Sequence, residues 1–336
     1  MSLLPVIGIT MGDAAGIGPE VIAKSLASAR LYESCRPVII GSTPVIAAVA
    51  AKSGIDAEVV RLAELNGKIT PTAKRFLVVD NGRLDGVPLS PGKLRAEYGA
   101  AAVSYMEQAT ELALAGQIHG VATGPVNKQA IHAASIDFIG QAEAFAHYSH
   151  ATRTRTMLAI GDFRLFLVTT HVPLREVPDL CTRERVLETI RIAHMTLQQF
   201  GIKQPRIAVA GLNPHLGDGG LMGREEIEQI GPAADAARAE GLDVAGPIPL
   251  PTVFVSARVG KYDGVISMYH DQAVLALGSL DLVTTSVGLP FIRTSVGHGT
   301  AYDIADKYIA DPEPMLVSIE LSARLAAARL RSLAGS

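Results

Sequence analysis

The stretch GITMGDAAGIGPEVIAKSL, residues 8–26, passes from an apolar run into an amphipathic one through a glycine-rich turn. Gly12, Gly16 and Gly18 supply positive φ and close backbone approach. Pro19 suits the first turn of a helix, whose free N–H groups favour an anion. The turn either holds a phosphate or only lets the backbone bend. Its spacing is not the dinucleotide fingerprint, and no lysine follows as a P-loop requires. Spacing alone therefore favours a plain strand–turn–helix joint.

That strand-to-helix switch recurs along the chain. Short β-rich runs at 5–10, 37–41, 76–80, 118–123, 156–160, 165–170, 206–211 and 264–268 are separated by amphipathic segments. The clearest segment covers 182–200, where Val186, Ile190, Ala193, Leu197 and Phe200 repeat at helical spacing between a Thr182 N-cap and a Gly201 stop. Apolar strands alternating with helices predict an α/β fold with a largely parallel sheet covered on both faces. Residues 81–93 read as a loop, and no repeat or low-complexity linker breaks the pattern.

A chain of 336 residues has room for two lobes, at roughly 100–200 residues per domain. A hydrophobic content of 48% with 32 glycines fits well-buried strands. The net charge of −3 offers nothing to a phosphate backbone, so no nucleic acid partner is expected. Cys35 and Cys181 lack metal-site spacing and imply no disulfide framework. The N-terminus has no basic n-region or cleavage site, and no apolar run is long enough for a bilayer. A cytoplasmic protein without a membrane partner is expected. The lack of Trp argues against a carbohydrate or aromatic-cage binder.

In open α/β sheets, ligands collect beyond the carboxyl ends of the strands. His171 in LVTTHVPLRE, His215 in VAGLNPHLGDGG and His270 in ISMYHDQA each stand just past a predicted strand. They are too far apart in sequence to form a local metal motif. One such histidine reads as a hydrogen-bonded structural group; three at equivalent positions point as strongly to a shared metal. His119, His147, His150 and His194 fall in strand or helix patterns and read as structural or solvent-facing. Lys128, in ATGPVNKQAI, opens a helix and by pattern is a surface lysine. Arg293 sits in an apolar run, where a carboxylate or phosphate is its natural partner. Beyond it, Thr300 or Asp303 can cap a helix.

Six motifs, TMGDAAGIGPE, TGPVNK, TTHVPLR, GLNPHLGDGGLMGREE, MYHDQ and GLPFIRTSVGHGTA, span essentially the whole chain in order. Together they resemble the 4-hydroxythreonine-4-phosphate dehydrogenases of vitamin B6 (pyridoxine) biosynthesis and their threonate- and erythronate-phosphate relatives. GDAAGIGPE and HGTAYDIA are similar, more distantly, to paired segments of isocitrate and isopropylmalate dehydrogenases. The resemblance implies two α/β/α lobes with a cleft between them. Residues 1–130 plus 290–336 would form the cofactor side, and 131–289 the metal, substrate and dimer side. A homodimer with a shared active site is implied, the partner completing each cleft.

The resemblance also assigns roles. His171, His215 and His270 match ligands of one divalent metal, zinc or alternatively Mg, Mn or Co; imidazoles suit zinc or another transition ion better than magnesium. Gly12, Gly18, His298, Gly299 and Thr300 match the NAD or NADP site, the first turn as cleft wall and the His-Gly turn at the adenosine end. Arg293, Gln141, Ala142 and Thr284 occupy substrate-binding positions. Lys128 is the candidate acid–base group, which requires a pKa lowered by metal or burial. Asp271 either orients His270 or joins the ligands. The implied chemistry is oxidation of a hydroxy acid by NAD(P), with the ion lowering the pKa of the substrate hydroxyl. The resulting β-keto acid then loses CO₂.

The chain departs from the family pattern at the substrate. The usual Gly-His-Thr-Glu is Gly140-Gln141-Ala142-Glu143 here. The segment after His-Asp-Gln is shorter, with Gly278 near the family's lysine and Thr284 at its asparagine. An acidic substrate other than 4-hydroxythreonine 4-phosphate is therefore expected, with Arg153 or Arg155 available as a replacement cation. Two competing readings are an acyl or phosphate transferase of related fold and a catalytically inactive ligand-binding homologue.

Overall fold

The computed structural model describes residues 4–65, 67, 69–138, 140–278 and 282–334. The strands, in chain order, are β1 Val6–Thr10, β2 Arg36–Ile40, β3 Glu58–Leu62, β4 Arg75–Val79, β5 Gly120–Thr123, β6 Arg155–Ile160, β7 Phe163–Leu167, β8 Ile207–Ala210, β9 Val244–Ile248, β10 Gly264–Ser267, β11 Val283–Val287 and β12 Ile292–Ser295. The chain divides into two compact units, Met1–Thr152 with Leu289–Leu330, and Arg153–Gly288 with Arg331–Ser336. Residues 131–152, which the sequence reading places in the second lobe, belong to the first unit. There helix Gln141–Tyr148 packs on helix Ala96–Leu114 and buries Ala144 and Phe145.

In the first unit the strand order is β3-β4-β2-β1-β5-β12, and every pairing is parallel. Ile9 aligns with Ile39 on one side and Ala122 on the other. All three are fully buried. Burial on both sides explains why these strands read as unbroken apolar runs rather than alternating ones. Parallel pairing also sends the loops after β1, β2, β5 and β12 to one edge, where residues 11–17, 41–42, 124–127 and 296–300 lie.

The second unit has the order β11-β6-β7-β10-β8-β9. Its β7, β10, β8 and β9 pair in parallel, whereas β6 is antiparallel to both neighbours. The physical reason is the link between β6 and β7. Gly161 and Asp162 alone connect them, with Gly161 at φ +57°, and a parallel partner needs a crossover of roughly a dozen residues. On one face Leu165, Leu167, Ala208, Ala210 and Val265 pack with Val253, Ala257 and Ala273. Helix Arg183–Gln199 buries Val186, Ile190, Ala193 and Leu197, and Thr182 caps it by accepting the Arg185 N–H at 3.3 Å. Each fully buried Ile, Leu or Val contributes about 1.5–3 kcal/mol. The segment before the helix is thereby anchored close to the edge that carries His171.

Candidate metal, cofactor and substrate residues

In the first unit, the opening turn is consumed by the protein itself. Asp13 N–H donates to Pro125 O at 3.0 Å, Gly16 N–H to Asp13 O at 3.2 Å and Ile17 N–H to Thr300 O at 2.9 Å. Ala15 N–H donates to Asp13 Oδ1 at 2.8 Å. Those four amides are spent within the protein rather than left free for an anion. Its glycines are required by close backbone contacts. Gly12 has φ +74°, and a Cβ there would lie 2.3 Å from Pro125 O; at Gly18 it would lie 2.7 Å from Met11 O. A Cβ at Gly16 would meet Thr300 O at 2.7 Å. Gly12 and Gly18 are both buried and bring backbones into close approach.

The loop after β12 is more open. His298 and Thr300 are half-buried and Gly299 is exposed with nothing beside it. The His298 Nδ1 lies 2.9 Å from Gly299 O. Behind this loop the Tyr302 hydroxyl donates to Asp13 Oδ2 at 2.9 Å. Burial raises the Asp13 carboxyl above its ordinary value, against the lowering effect of its Ala15 and Tyr302 hydrogen bonds.

Arg293 projects from buried β12 and is 4% exposed. Its Nη2 donates to Thr123 Oγ1 at 2.8 Å and to Gln141 Oε1 at 2.9 Å. Its guanidinium lies 5.5 Å from the Phe145 ring centroid. Burial pulls its pKa down to about 10, which still leaves it cationic at neutral pH. Gln141 also donates to Gly124 O at 3.1 Å, so one amide holds the arginine and the β5 loop together. Ala142 and Lys128 are exposed nearby in sequence, with Lys128 at the start of helix Lys128–Ala133 after an Asn127 cap. Sequence reasoning missed Thr123 because a threonine at a strand end has no distinguishing pattern.

In the second unit the three histidines stand at one edge. His171 lies past β7, His215 past β8 and His270 opens helix His270–Leu277 after β10. The structure brings His171 and His270 together, with ring centroids 5.7 Å apart. Two imidazoles on one tetrahedral ion, each nitrogen about 2.0–2.1 Å from it, have centroids roughly 5 Å apart. Asp271 Oδ1 sits 2.8 Å from His270 Nδ1. A carboxylate there holds the Nδ1 proton and leaves Nε2 for a metal. This donor pair fits zinc. Among the described residues, no three His, Cys, Asp or Glu side chains surround a common point, and His215 stands apart from the His171–His270 pair. Thr284 lies on β11 opposite Leu158 and is half-buried.

His215 begins an uncommon stretch of backbone. His215, Leu216, Gly217, Asp218 and Gly219 have φ values of 52°, 60°, 77°, 46° and 68°, a left-handed run. Side-chain-bearing residues there cost about 1–2 kcal/mol each. Two buried side chains brace the region; each ends a motif quoted above, GLNPHLGDGGLMGREE and MYHDQ, but has no role in the sequence reading. Glu226 lies in the charged stretch 224–228, where it is one of three glutamates with no distinguishing spacing. Gln272 follows the conspicuous His270 and accepts Met268 N–H at 2.9 Å while donating to Gly211 O at 3.2 Å. It thereby ties the ends of β10 and β8.

By class, the relatives of this α/β chain are dehydrogenases acting on CH–OH groups. The chain matches the family model described as "Pyridoxal phosphate biosynthetic protein PdxA" over residues 33–322, and it belongs to that family. It is 40% identical to the 4-hydroxythreonine-4-phosphate dehydrogenase of Desulforapulum autotrophicum, over 95% of each chain. It is 39% identical to the D-threonate 4-phosphate dehydrogenase of Pectobacterium atrosepticum, covering 96% of this chain and 99% of that one. The crystal structure of a 4-hydroxythreonine-4-phosphate dehydrogenase from Burkholderia phymatum matches with TM-score 0.89 at 40% identity, over 96% of this chain and 98% of that one.

Proposed function

We propose that this protein oxidises a phosphorylated four-carbon hydroxy acid of the D-threonate 4-phosphate type with NAD or NADP, and that the product loses CO₂. Membership of a dehydrogenase family supports the reaction class. The observation that carries the metal requirement is the His171–His270 pair with Asp271 on His270. Zinc held there by His171 and His270 would supply a Lewis acid for the substrate hydroxyl. His171 and His270 orient that centre, and Asp271 fixes the His270 tautomer. Arg293, fixed by Thr123 and Gln141, holds an acidic group of the substrate. Lys128 is the candidate to move the proton, since it opens a helix beside the β5 loop. The 298–300 loop receives the adenosine end of the cofactor.

The changes at Gln141, Ala142, Gly278 and Thr284 support an acidic substrate other than 4-hydroxythreonine 4-phosphate, and relatives named D-threonate 4-phosphate dehydrogenase support that type. We further propose a homodimer in which His215 of the partner subunit completes each metal site. The free, buried Cys35 and Cys181 suit a reducing cytoplasm. No helix among the described residues is long and apolar enough to cross a membrane.

The test is an NADH-formation screen over D-threonate 4-phosphate, 4-hydroxythreonine 4-phosphate, their unphosphorylated forms and cyclic dihydrodiol carboxylates. D-threonate 4-phosphate is expected to give the highest kcat/KM. A higher value for 4-hydroxythreonine 4-phosphate overturns the substrate assignment, and no turnover of any hydroxy acid favours the inactive-homologue reading.

A further inference from the structure

Glu226 is 5% exposed and opens the π-helical turn Glu226–Ile230. Its Oε1 accepts the backbone N–H of Leu212 and of Asn213, both at 2.7 Å. Its Oε2 accepts Asn213 Nδ2–H at 2.9 Å. Asn213 Nδ2 also donates to Glu225 Oε2 at 2.6 Å. One buried carboxylate therefore grips the two residues that lead into the left-handed run at His215. The run itself closes back on the same group. A Cβ at Gly217 would lie 3.3 Å from Glu226 Oε2 and 2.5 Å from Gly223 O. Left-handed backbone disfavours His215, Leu216 and Asp218, so the run opens unless its ends are held. π-Helical turns recur at functional sites, and this one aims the Glu226 carboxylate at the loop.

We propose that Glu226 is a positioning residue for the metal centre: its carboxylate pins Leu212 and Asn213 so that the left-handed run presents the His215 imidazole to the ion. The inference rests on the metal reading of the preceding subsection. It holds whichever subunit's ion His215 serves, because every contact of Glu226 lies within its own chain. Glu226 touches neither substrate nor metal; it acts through the backbone that carries a ligand. Groups that orient a ligand in this way are worth about 10–100-fold in metal affinity.

The test is zinc affinity of the metal-stripped full-length protein, read by competition with a chromophoric chelator and without substrate. Four variants are compared: Glu226→Met, Glu226→Gln, His215→Ala, and His215→Ala combined with Glu226→Met. Methionine keeps the length of the side chain but accepts no strong hydrogen bond, and zinc affinity should fall about 10–100-fold. Glutamine keeps one oxygen for the two backbone amides and turns an NH₂ toward Asn213, so its loss should be smaller. The combined variant should bind zinc no more weakly than His215→Ala alone, because Glu226 acts only through that imidazole. A merely structural residue would instead add its effect to the double variant. Unchanged affinity in Glu226→Met, or additive losses, overturns the proposal. If Glu226→Met does not fold by circular dichroism, Glu226→Gln alone and on the His215→Ala background decides by the same criteria. Unchanged affinity in His215→Ala itself would reject the metal reading, a different outcome from failure of the Glu226 inference.

Discussion

Replacing Gly12 by alanine separates a structural joint from a phosphate cradle. Gly12 sits at φ +74°, and an added Cβ would lie 2.3 Å from Pro125 O and 2.9 Å from the Gly124 carbonyl carbon. The left-handed backbone costs an alanine about 1–2 kcal/mol. The contact is with backbone, so the β5 loop must move by about 1 Å, at an overpacking cost of about 1–3 kcal/mol. The total of about 2–5 kcal/mol lowers the melting temperature of a unit of this size by about 4–20 °C. Gly54→Ala is the control, because Gly54 has φ +71° and nothing within 4 Å, and it isolates the backbone part. Differential scanning calorimetry of both variants, with KM for the nicotinamide cofactor measured on the folded protein, makes the comparison. The joint predicts a clear drop for Gly12→Ala beyond that of Gly54→Ala. An unchanged melting temperature with a tenfold rise in cofactor KM would show that the turn binds the cofactor directly, and the reasoning from its engaged amides would be wrong.

Arg293→Lys keeps the charge but cannot make the Thr123 and Gln141 bonds while presenting a fork, and one lost charge-assisted hydrogen bond of about 1.5–3 kcal/mol should lower kcat/KM by about 10–150-fold; a change below threefold refutes the role of Arg293. Gln141→His with Ala142→Thr restores the family pattern and should raise the ratio of kcat/KM for 4-hydroxythreonine 4-phosphate over D-threonate 4-phosphate; an unchanged ratio removes these positions from specificity. Mixed subunits of His215→Ala and His270→Ala should recover about a quarter of wild-type activity on random exchange, since one site of each mixed dimer is intact; an active monomer by mass measurement excludes the shared site. Burial raises the Asp13 carboxyl, so its stabilising contribution is full below the unfolded value and is lost as pH rises through the folded one. Asp13→Asn, which keeps an acceptor for Ala15, should therefore gain stability relative to wild type as pH rises above the ordinary carboxylate value in urea titrations; parallel pH profiles contradict this.

What the sequence made legible was whatever repeats or alternates. The apolar cores of β1, β2, β4, β5 and β10 stand out because both faces are buried, and helix Arg183–Gln199 because its apolar residues keep one face. Four strands escaped for local reasons. β3 carries Glu58 and Arg61; β9 contains Gly246-Pro247, which reads as a break; β11 is Thr-Thr-Ser at its centre; and β12 bears Arg293. The last two are polar in sequence yet mostly buried, and on β12 the polar groups find partners far along the chain, Thr123 for Arg293 and Ser318 for Thr294. The histidines showed themselves through their place after strands. The groups that brace them did not, since hydrogen bonds from Glu226 to residues 212 and 213, or from Gln272 to Gly211, have no sequence period.

The most direct test of the central claim is the stoichiometry of NADH and CO₂ formed from D-threonate 4-phosphate by metal-stripped protein and by the same protein reloaded with zinc. The account predicts no turnover without metal, recovery on adding one zinc per subunit, and equal amounts of NADH and CO₂. Full turnover by protein shown to be free of metal, or NADH without CO₂, would contradict it.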